Sequence, residues 1–224
     1  MKFLIAFPYC FQSKAFFFNL TVGGLVVTLE VTGVALLLAF VLGFLISVLK
    51  VLPCEPLRVI LDLYTSIFRG IPLIVLLFIA YFGMPQLTGY KISMFTASVL
   101  TLGLNGSATV SETVRGGIEG VDRGQYDAAR ALGLPYPSMM WEIIIPQALR
   151  SVAPALVNEA ITVLKSSSLV ATIGLMDMMR AAQSVQALTY RAFEPFVVVA
   201  AIYYVIVMAL VALSRRMERH LRRS

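Results

Sequence analysis

Long apolar stretches alternate with polar ones along this chain, and they predict membrane-spanning helices. A helix needs about 20 mainly apolar residues to cross a bilayer. Five stretches meet this requirement, at 20–49, 59–82, 92–114, 152–174 and 196–213. A polar insert at 115–150 separates the third stretch from the fourth. The pattern predicts an all-α membrane protein with five transmembrane helices and a cytoplasmic insert, forming a single domain over 1–224.

The polar insert contains its own helix signals, which place a short helix at its centre. Asp122 is a favoured N-cap residue, and Gln125 three positions later completes a pattern like a capping box. Gly133 followed by Pro135 is typical of a helix end. We therefore expect a helix at about 123–132 that is held by turns on both sides.

Small residues occur on both sides of these signals. Gly116-Gly117 and Gly120 are expected to break the helix that descends from the third span. Three alanines are expected to form a surface that another protein can approach closely: Ala128, Ala129 and Ala131. The alternative is an amphipathic helix that lies on the membrane surface, which explains the net neutral charge of the insert less well.

The composition excludes a soluble protein. The 224 residues are 59% hydrophobic and 13% charged, whereas a soluble domain is about 45–50% apolar and about 25% charged. The net charge of +6 is concentrated in the carboxyl-terminal tail. Five arginines follow the last apolar stretch: Arg215, Arg216, Arg219, Arg222 and Arg223. This pattern is typical of a cytoplasmic contact with membrane lipid, and it excludes nucleic acid as the partner.

The distribution of Lys and Arg predicts the orientation, because these residues accumulate on the cytoplasmic side. A cytoplasmic C-terminus places the N-terminus outside and the polar insert inside. The inner segments then carry eleven Lys and Arg residues: Lys50, Arg58, Arg115, Arg123, Arg130, Arg150 and the five tail arginines. The outer segments carry five: Lys2, Lys14, Lys91, Arg180 and Arg191.

Few residues in the chain are suited to catalysis or metal binding. The single histidine, His220, excludes histidine-based metal sites and Ser-His or Cys-His catalysis. Cys10 and Cys54 lie on opposite sides of the predicted membrane, so we expect no disulfide between them. No glycine-rich phosphate-binding loop is present. The sequence therefore predicts no enzyme, no catalytic residue, no metal and no cofactor.

An aromatic segment near the start of the chain, Phe16–Phe18, is expected to lie at the outer lipid interface.

The centre of the insert resembles a known motif. Asp127-Ala128-Ala129, Gly133, Ile143 and Ile145-Pro146 have the spacing of the EAA loop in membrane subunits of ATP-binding-cassette importers. This chain has Asp where the motif usually has Glu, and Ile where it has Leu. Further motifs resemble the polar amino acid permease branch: Arg69-Gly70-x-Pro72, Asn105-Gly106, Ser111-Glu112, Arg115-Gly116-Gly117-Ile118, Gly124, Pro146-Gln147-Ala148-Leu149-Arg150 and Lys165-x-x-Ser168-Leu169. The chain departs from that branch at Ile71, Ser166 and Ser167.

The resemblance implies a type I importer permease of the bacterial cytoplasmic (inner) membrane that works by alternating access. The short helix would be a coupling helix that docks on a cytoplasmic ATP-binding-cassette ATPase dimer. The coupling residues would be Asp127, Ala128, Ala129, Arg130, Gly133 and Pro146. The implied partners are an extracytoplasmic amino acid binding protein, an amino acid substrate and a second permease subunit, either identical or paralogous.

Polar side chains inside the predicted spans are candidates for substrate contact, because a charge at membrane depth costs about 2.5–3.5 kcal/mol. Glu159 and Thr162 are i, i+3 neighbours on the fourth span. Glu159 is expected either to bind the cationic group of an amino acid, which favours a basic substrate, or to make a structural hydrogen bond. Asn105 is expected to line the path or to bond a neighbouring helix. Arg69 is expected to bind a substrate carboxylate or to brace the break at Gly70-x-Pro72.

Two other charges inside the spans have no assigned partner. Lys165 is expected to pair with an acid on the second or third span, such as Asp62 or Glu112. Glu30 is expected to be interfacial or interhelical rather than to face the path.

Two other function classes remain as alternatives. An ion-coupled transporter or channel would use the intramembrane charges but would need an inverted repeat, which this sequence does not show, and it leaves the insert unexplained. A membrane-embedded enzyme lacks a nucleophile or paired-carboxylate motif. Co-purification with an ATPase distinguishes a permease from an ion-coupled transporter.

Overall fold

The computed structural model describes residues 22–52 and 54–221, and these residues form helices and no strand. The helices are α1 (Gly24–Val51), α2 (Glu55–Gly70), α3 (Leu73–Thr88), α4 (Met94–Glu119), α5 (Arg123–Ala131), α6 (Tyr136–Ile173), α7 (Met178–Thr189) and α8 (Phe193–Leu221). A π-helical turn occurs within α3 at Ile79–Gly83 and within α6 at Met139–Ile144. The expectation of an all-α fold is confirmed.

Three of the described helices are long and apolar enough to cross a membrane: Gly24–Val51, Tyr136–Ile173 and Phe193–Arg219. The pair α2 and α3 passes the same test together, but the two helices are bent by 102° at their junction. The predicted second span is therefore two helices. Gly70 ends α2, and Pro72 lacks the backbone N–H that would continue the helix.

Helix α4 is not among the helices apolar enough to cross a membrane by themselves, and it lies at the centre of the bundle. Its buried positions are dominated by small or weakly polar residues such as Ser98, Gly103, Ser107 and Ser111. These residues meet protein rather than lipid, so the helix does not need the hydropathy of a lipid-facing span. This packing explains why α4 lacks the high mean hydropathy of a lipid-facing span such as α1.

Close contact between α1 and α4 depends on glycines. A Cβ atom at Gly43 would lie 2.6 Å from the Cβ of Val110, and one at Gly103 would lie 2.5 Å from a methyl group of Leu38. Small residues let helix backbones approach closely in a bilayer, where apolar surface alone gives little drive for association. The glycines therefore fix the distance between these two helices.

Gly43→Ala is expected to destabilise the subunit by about 1–3 kcal/mol, because the added methyl group overpacks the α1–α4 contact. Gly33→Ala is the matched control on the same helix, since nothing lies within 4 Å of a Cβ at that position. Thermal unfolding in detergent should show a lower midpoint for Gly43→Ala and an unchanged or higher one for Gly33→Ala. Equal midpoints for the two variants would contradict this packing argument.

The expected break at Gly116-Gly117 is wrong, because α4 continues through both residues to Glu119 and ends at Gly120. The reason is tertiary. A Cβ at Gly117 would lie 2.5 Å from Val152 of α6, so this glycine allows α6 to approach. It is a packing position within a continuous helix and does not end the helix.

A hydrophobic cluster at one end of the bundle joins the insert to the spans. Its buried members come from α4, α5 and α6: Val110, Val114, Ile118, Ala129, Met139, Met140, Ile144, Ile145 and Ala148. The helix α5 contributes Ala129 to this cluster and packs Tyr126 against it, so the short helix rests on the core through two side chains.

At the opposite end, α7 begins at Asp177, whose carboxylate accepts a hydrogen bond of 2.8 Å from the backbone N–H of Arg180. The Asp177 side chain is fully buried, and this burial raises its pKa to about 6. Its neighbour Thr28 of α1 accepts a hydrogen bond from the N–H of Met178. These contacts attach α7 to the start of α1.

Several expectations concern residues outside the described parts of the chain. These are the interfacial segment Phe16–Phe18, the cysteine Cys10 and the tail arginines Arg222 and Arg223. Cys54 is described and is a free, exposed thiol.

Candidate coupling surface and intramembrane site

The short helix of the insert has the predicted position, with bounds Arg123–Ala131. Asp122 is its N-cap, and its Oδ1 accepts a hydrogen bond of 2.7 Å from the N–H of Gly124. Gln125 does not complete a capping box, because its Oε1 accepts a hydrogen bond of 3.1 Å from the Nε2 of Gln147 instead. That bond joins α5 to the base of α6.

The end of α5 requires a glycine. Gly133 has φ of +72°, in the left-handed region that other residues enter at a cost of about 1–2 kcal/mol. The N–H of Leu134 donates to the carbonyl of Ala129 at 3.1 Å, and the N–H of Gly133 donates to that of Arg130 at 3.0 Å. These two bonds close the helix and turn the chain towards α6.

Two contacts fix the inner face of α5 against the bundle. The Tyr126 hydroxyl donates a hydrogen bond of 2.9 Å to the carbonyl of Ile118 in α4, and burial raises its pKa. Ala129 is 1% exposed within the hydrophobic cluster. The prediction that Ala129 shares an outer small-residue surface with Ala128 and Ala131 is therefore wrong, because Ala129 faces inward while the other two are exposed.

The outer face of α5 borders an open cavity with a volume of about 550 Å³, and we call the lining of this cavity the coupling surface. Its lining residues are Glu119, Val121, Arg123, Tyr126, Asp127 and Arg130. Asp127, Ala128 and Arg130 are exposed beside it. A rigid helix with a charged outer face and an anchored inner face is suited to receive another protein and to pass its movement to the bundle.

The end of the insert is the base of α6. Ile145 is buried in the hydrophobic cluster, Ile143 packs against it, and Pro146 follows in the first turn of the regular helix. Proline is well tolerated there because the first N–H groups of a helix have no partner within it. The Ile-x-Ile-Pro spacing thus attaches the insert to a span.

Near the middle of the bundle, the structure brings Glu159, Arg69 and Gly106 together from α6, α2 and α4. The half-buried Glu159 has its Oε1 4.0 Å from the position of a Cβ on Gly106. Arg69 is exposed and close enough for its charge to act on the Glu159 carboxylate. Thus one anionic and one cationic group lie on the same polar region, which we call the intramembrane site.

Asn105 lies beside Gly106, and its Nδ2 donates a hydrogen bond of 2.5 Å to the carbonyl of Phe68. That carbonyl belongs to the last turn of α2, where the break at Pro72 removes the next helical donors. This bond supports the interhelical alternative for Asn105. Thr162 is exposed on α6, and its hydroxyl donates to the carbonyl of Asn158 at 3.0 Å.

The expected pairing of Lys165 with Asp62 or Glu112 is wrong. Lys165 is exposed on α6, whereas both acids bind Lys50, at 2.8 Å and 2.6 Å. Glu30 is exposed on α1. Among the residues that the structure describes, neither Lys165 nor Glu30 forms an ion pair.

The polar contacts that hold α2 were not predicted from the sequence. Lys50 was counted only as a cytoplasmic charge, yet its side chain is fully buried between α1, α2 and α4. The Tyr64 hydroxyl donates to the carbonyl of Leu104 at 3.0 Å and lies 2.7 Å from the Ser107 hydroxyl. A basic residue at the end of a span, with acids early in the second span and late in the third, is the signal that predicts such a pairing.

A family model and named relatives match most of this chain. The family described as "Binding-protein-dependent transport system inner membrane component" matches residues 35–223. The arginine transport system permease protein ArtQ of Bacillus subtilis (strain 168) is 45% identical over 199 residues, which cover 89% of this chain and 91% of ArtQ. The putative glutamine transport system permease protein GlnP of Rickettsia bellii (strain RML369-C) is 42% identical over 200 residues, covering 89% and 92%.

Solved structures share the fold. A crystal structure of an amino acid ABC transporter with histidines matches with a TM-score of 0.85 and 40% identity, covering 90% of this chain and 94% of that one. An inward-facing methionine transporter, MetNI, matches with a TM-score of 0.80 at 21% identity, covering 93% and 99%. The helical bundle with its anchored α5 and the matches over most of the chain lead to one conclusion: this protein belongs to the family of inner membrane components of binding-protein-dependent transport systems.

Proposed function

We propose that this chain is the membrane-spanning subunit of an ATP-driven importer that carries amino acids into a bacterial cell. The observation that carries the proposal is α5, whose inner face is anchored by Tyr126 and Ala129 while Asp127 and Arg130 stay exposed at the coupling surface. The named permeases of arginine and glutamine transport at 45% and 42% identity support an amino acid as the substrate.

The partners follow from this role. A cytoplasmic ATP-binding-cassette ATPase dimer docks on the coupling surface through Asp127, Ala128 and Arg130, and hydrolyses ATP in place of this chain. Ala129, Gly133 and Pro146 act indirectly by holding α5 in position. A second permease subunit completes the path, and an extracytoplasmic binding protein delivers the substrate. The C-terminal arginines, with Arg215, Arg216 and Arg219 exposed, contact cytoplasmic lipid head groups.

The intramembrane site suits the zwitterion that every amino acid presents. Arg69 is placed to bind a carboxylate, and Glu159 is placed to bind an ammonium or a basic side chain. Thr162 offers its hydroxyl oxygen on the same helix as Glu159, and Asn105 holds the broken helix that carries Arg69. Because Glu159 places an anionic group at this half-buried site, a basic amino acid is favoured as the substrate.

The test is reconstitution of the permease with its ATPase and binding protein in lipid vesicles. We expect the ATPase to co-purify with the permease and external amino acid to stimulate ATP hydrolysis. Stimulation should be strongest with arginine, lysine or histidine and weaker with glutamine. The proposal would be overturned, in favour of an ion-coupled transporter, if no ATPase is retained and uptake depends on an ion gradient but not on ATP.

A further inference from the structure

The helix α2 is held to the bundle by very few apolar contacts. Thr65 is its only buried residue, and exposed apolar side chains such as Val59, Ile60 and Leu63 cover much of the rest. In a bilayer such surface gives little drive for helix association, so polar contacts contribute a larger share of the free energy that holds the helices together. The position of α2 therefore depends on the hydrogen bonds and ion pairs that it makes with α1 and α4.

Lys50 makes the strongest set of these contacts. Its Nζ lies 2.8 Å from Asp62 Oδ1, 2.8 Å from Thr65 Oγ1 and 2.6 Å from Glu112 Oε1. The contacts with Thr65 and Glu112 are hydrogen bonds, and the contact with Asp62 is an ion pair. The Lys50 side chain is 0% exposed, so it has no water with which to replace a lost partner. One lysine of α1 thus binds two residues of α2 and one of α4.

The same network continues to the coupling surface. The second oxygen of Glu112 accepts hydrogen bonds of 2.7 Å and 3.2 Å from Arg115. Arg115 in turn contacts Glu119 at 2.6 Å, and Glu119 lines the coupling surface. An unbroken series of charge-assisted bonds therefore runs from the proposed ATPase docking site to Lys50.

The far end of α2 carries Arg69, and its last turn is bonded to Asn105 beside the intramembrane site. A shift of α2 at Asp62 and Thr65 would therefore move a residue of that site. A helix transmits such a shift because it is rigid over the roughly two turns that separate Asp62 from Gly70. One end of the network thus lies at the coupling surface, and the other leads through α2 to the intramembrane site.

We infer that Lys50 is a positioning residue that couples movement of the ATPase docking site to the intramembrane site, by holding the cytoplasmic ends of α1, α2 and α4 together as one body. This inference rests on the proposed function and adds a route by which movement reaches the substrate. Lys50 touches neither substrate nor ATPase.

The test measures the number of amino acid molecules carried per ATP hydrolysed, in vesicles containing the whole importer. The amino acid is whichever of arginine, lysine, histidine and glutamine stimulates the wild-type complex most. Lys50→Met should lower this ratio at least about fivefold, while the ATPase remains bound and continues to hydrolyse ATP. Arg58→Met is the matched control, since Arg58 forms an exposed ion pair with Glu55 on the same helix.

Two further variants separate coupling from stability. Asp62→Asn removes the charge of one partner of Lys50, and Thr65→Val removes the hydroxyl of another. Both leave the bond to Glu112, so each should lower the ratio by a smaller amount. They also keep the test valid if Lys50→Met fails to assemble. A role in folding alone would lower the yield or the unfolding temperature of all three variants and leave the ratio unchanged.

Three outcomes are therefore distinguishable. A lowered ratio in the Lys50, Asp62 and Thr65 variants, with a normal ratio in Arg58→Met, supports the inference. Wild-type ratios in variants that assemble overturn it and leave the proposed function intact. A wild-type complex that retains no ATPase, or transports without ATP, overturns the proposed function itself.

Discussion

Asp127→Lys is expected to abolish ATP-driven uptake while the permease itself remains folded. Asp127 is exposed on the outer face of α5 and lines the coupling surface, so reversing its charge disturbs no buried contact. Reversal at a central interface residue commonly costs about 3 kcal/mol, which corresponds to an affinity loss of about 100-fold. Co-purification of the ATPase and vesicle uptake both measure the effect, and both should fall to background.

Glu55→Lys is the matched control, because Glu55 is an exposed carboxylate in the first turn of α2 on the predicted cytoplasmic side, outside the coupling surface. This variant should retain the ATPase. Gly133→Arg tests the same surface through the backbone, since φ of +72° suits glycine and, less well, asparagine. Gly133→Asn should therefore keep more of the ATPase than Gly133→Arg. An intact, fully active complex with Asp127→Lys would remove α5 from the docking site.

Glu159→Gln is expected to weaken stimulation of ATP hydrolysis by a basic amino acid about 10–100-fold in half-saturating concentration. The substitution keeps the shape and removes the charge, and a hydrogen bond to a charged group contributes about 1.5–3 kcal/mol. ATP hydrolysis by the reconstituted complex, titrated with arginine and with glutamine, measures the change. The loss should be larger for arginine than for glutamine if Glu159 binds the basic side chain.

Glu30→Gln is the control for this prediction, because Glu30 is an exposed glutamate of α1 that is not part of the intramembrane site. It should leave the titration curves unchanged. If Glu159→Gln also leaves both curves unchanged, Glu159 has a structural role, and selectivity belongs to the binding protein or to other residues of the path.

The features that could be predicted from sequence are those determined by neighbours along the chain. The bounds of α5 were predicted closely, because Asp122 and Gly133 act within one turn of the helix ends. Apolar stretches alone located α1 and α8, whereas the second stretch forms two helices, α2 and α3. The resemblance to a permease motif identified the exposed residues of α5, although it could not tell that Ala129 faces inward.

The failures have a common physical cause, which is packing between residues far apart in sequence. Gly117 was predicted to end a helix, but it lies within one, where the absence of a side chain leaves room for Val152. Glu112 was assigned to Lys165, but it lies beside Lys50, 62 positions away in the chain. Local pattern cannot rank such partners, since every long helix offers several residues of the right charge at the same depth.

The small, weakly polar surface of α4 has a consequence for how the protein is made. Insertion into a bilayer selects segments by their own hydropathy. The most apolar segments of α1 and α8 have mean hydropathies of 2.7 and 2.8, so these helices can enter the bilayer unaided. Ser98, Ser107 and Ser111 leave α4 poorly suited to surrounding lipid, yet they are buried against protein in the folded bundle. During synthesis α4 should therefore stay beside the translocation machinery until α1 is available to receive it, so assembly begins with the pair that later forms the centre of the bundle.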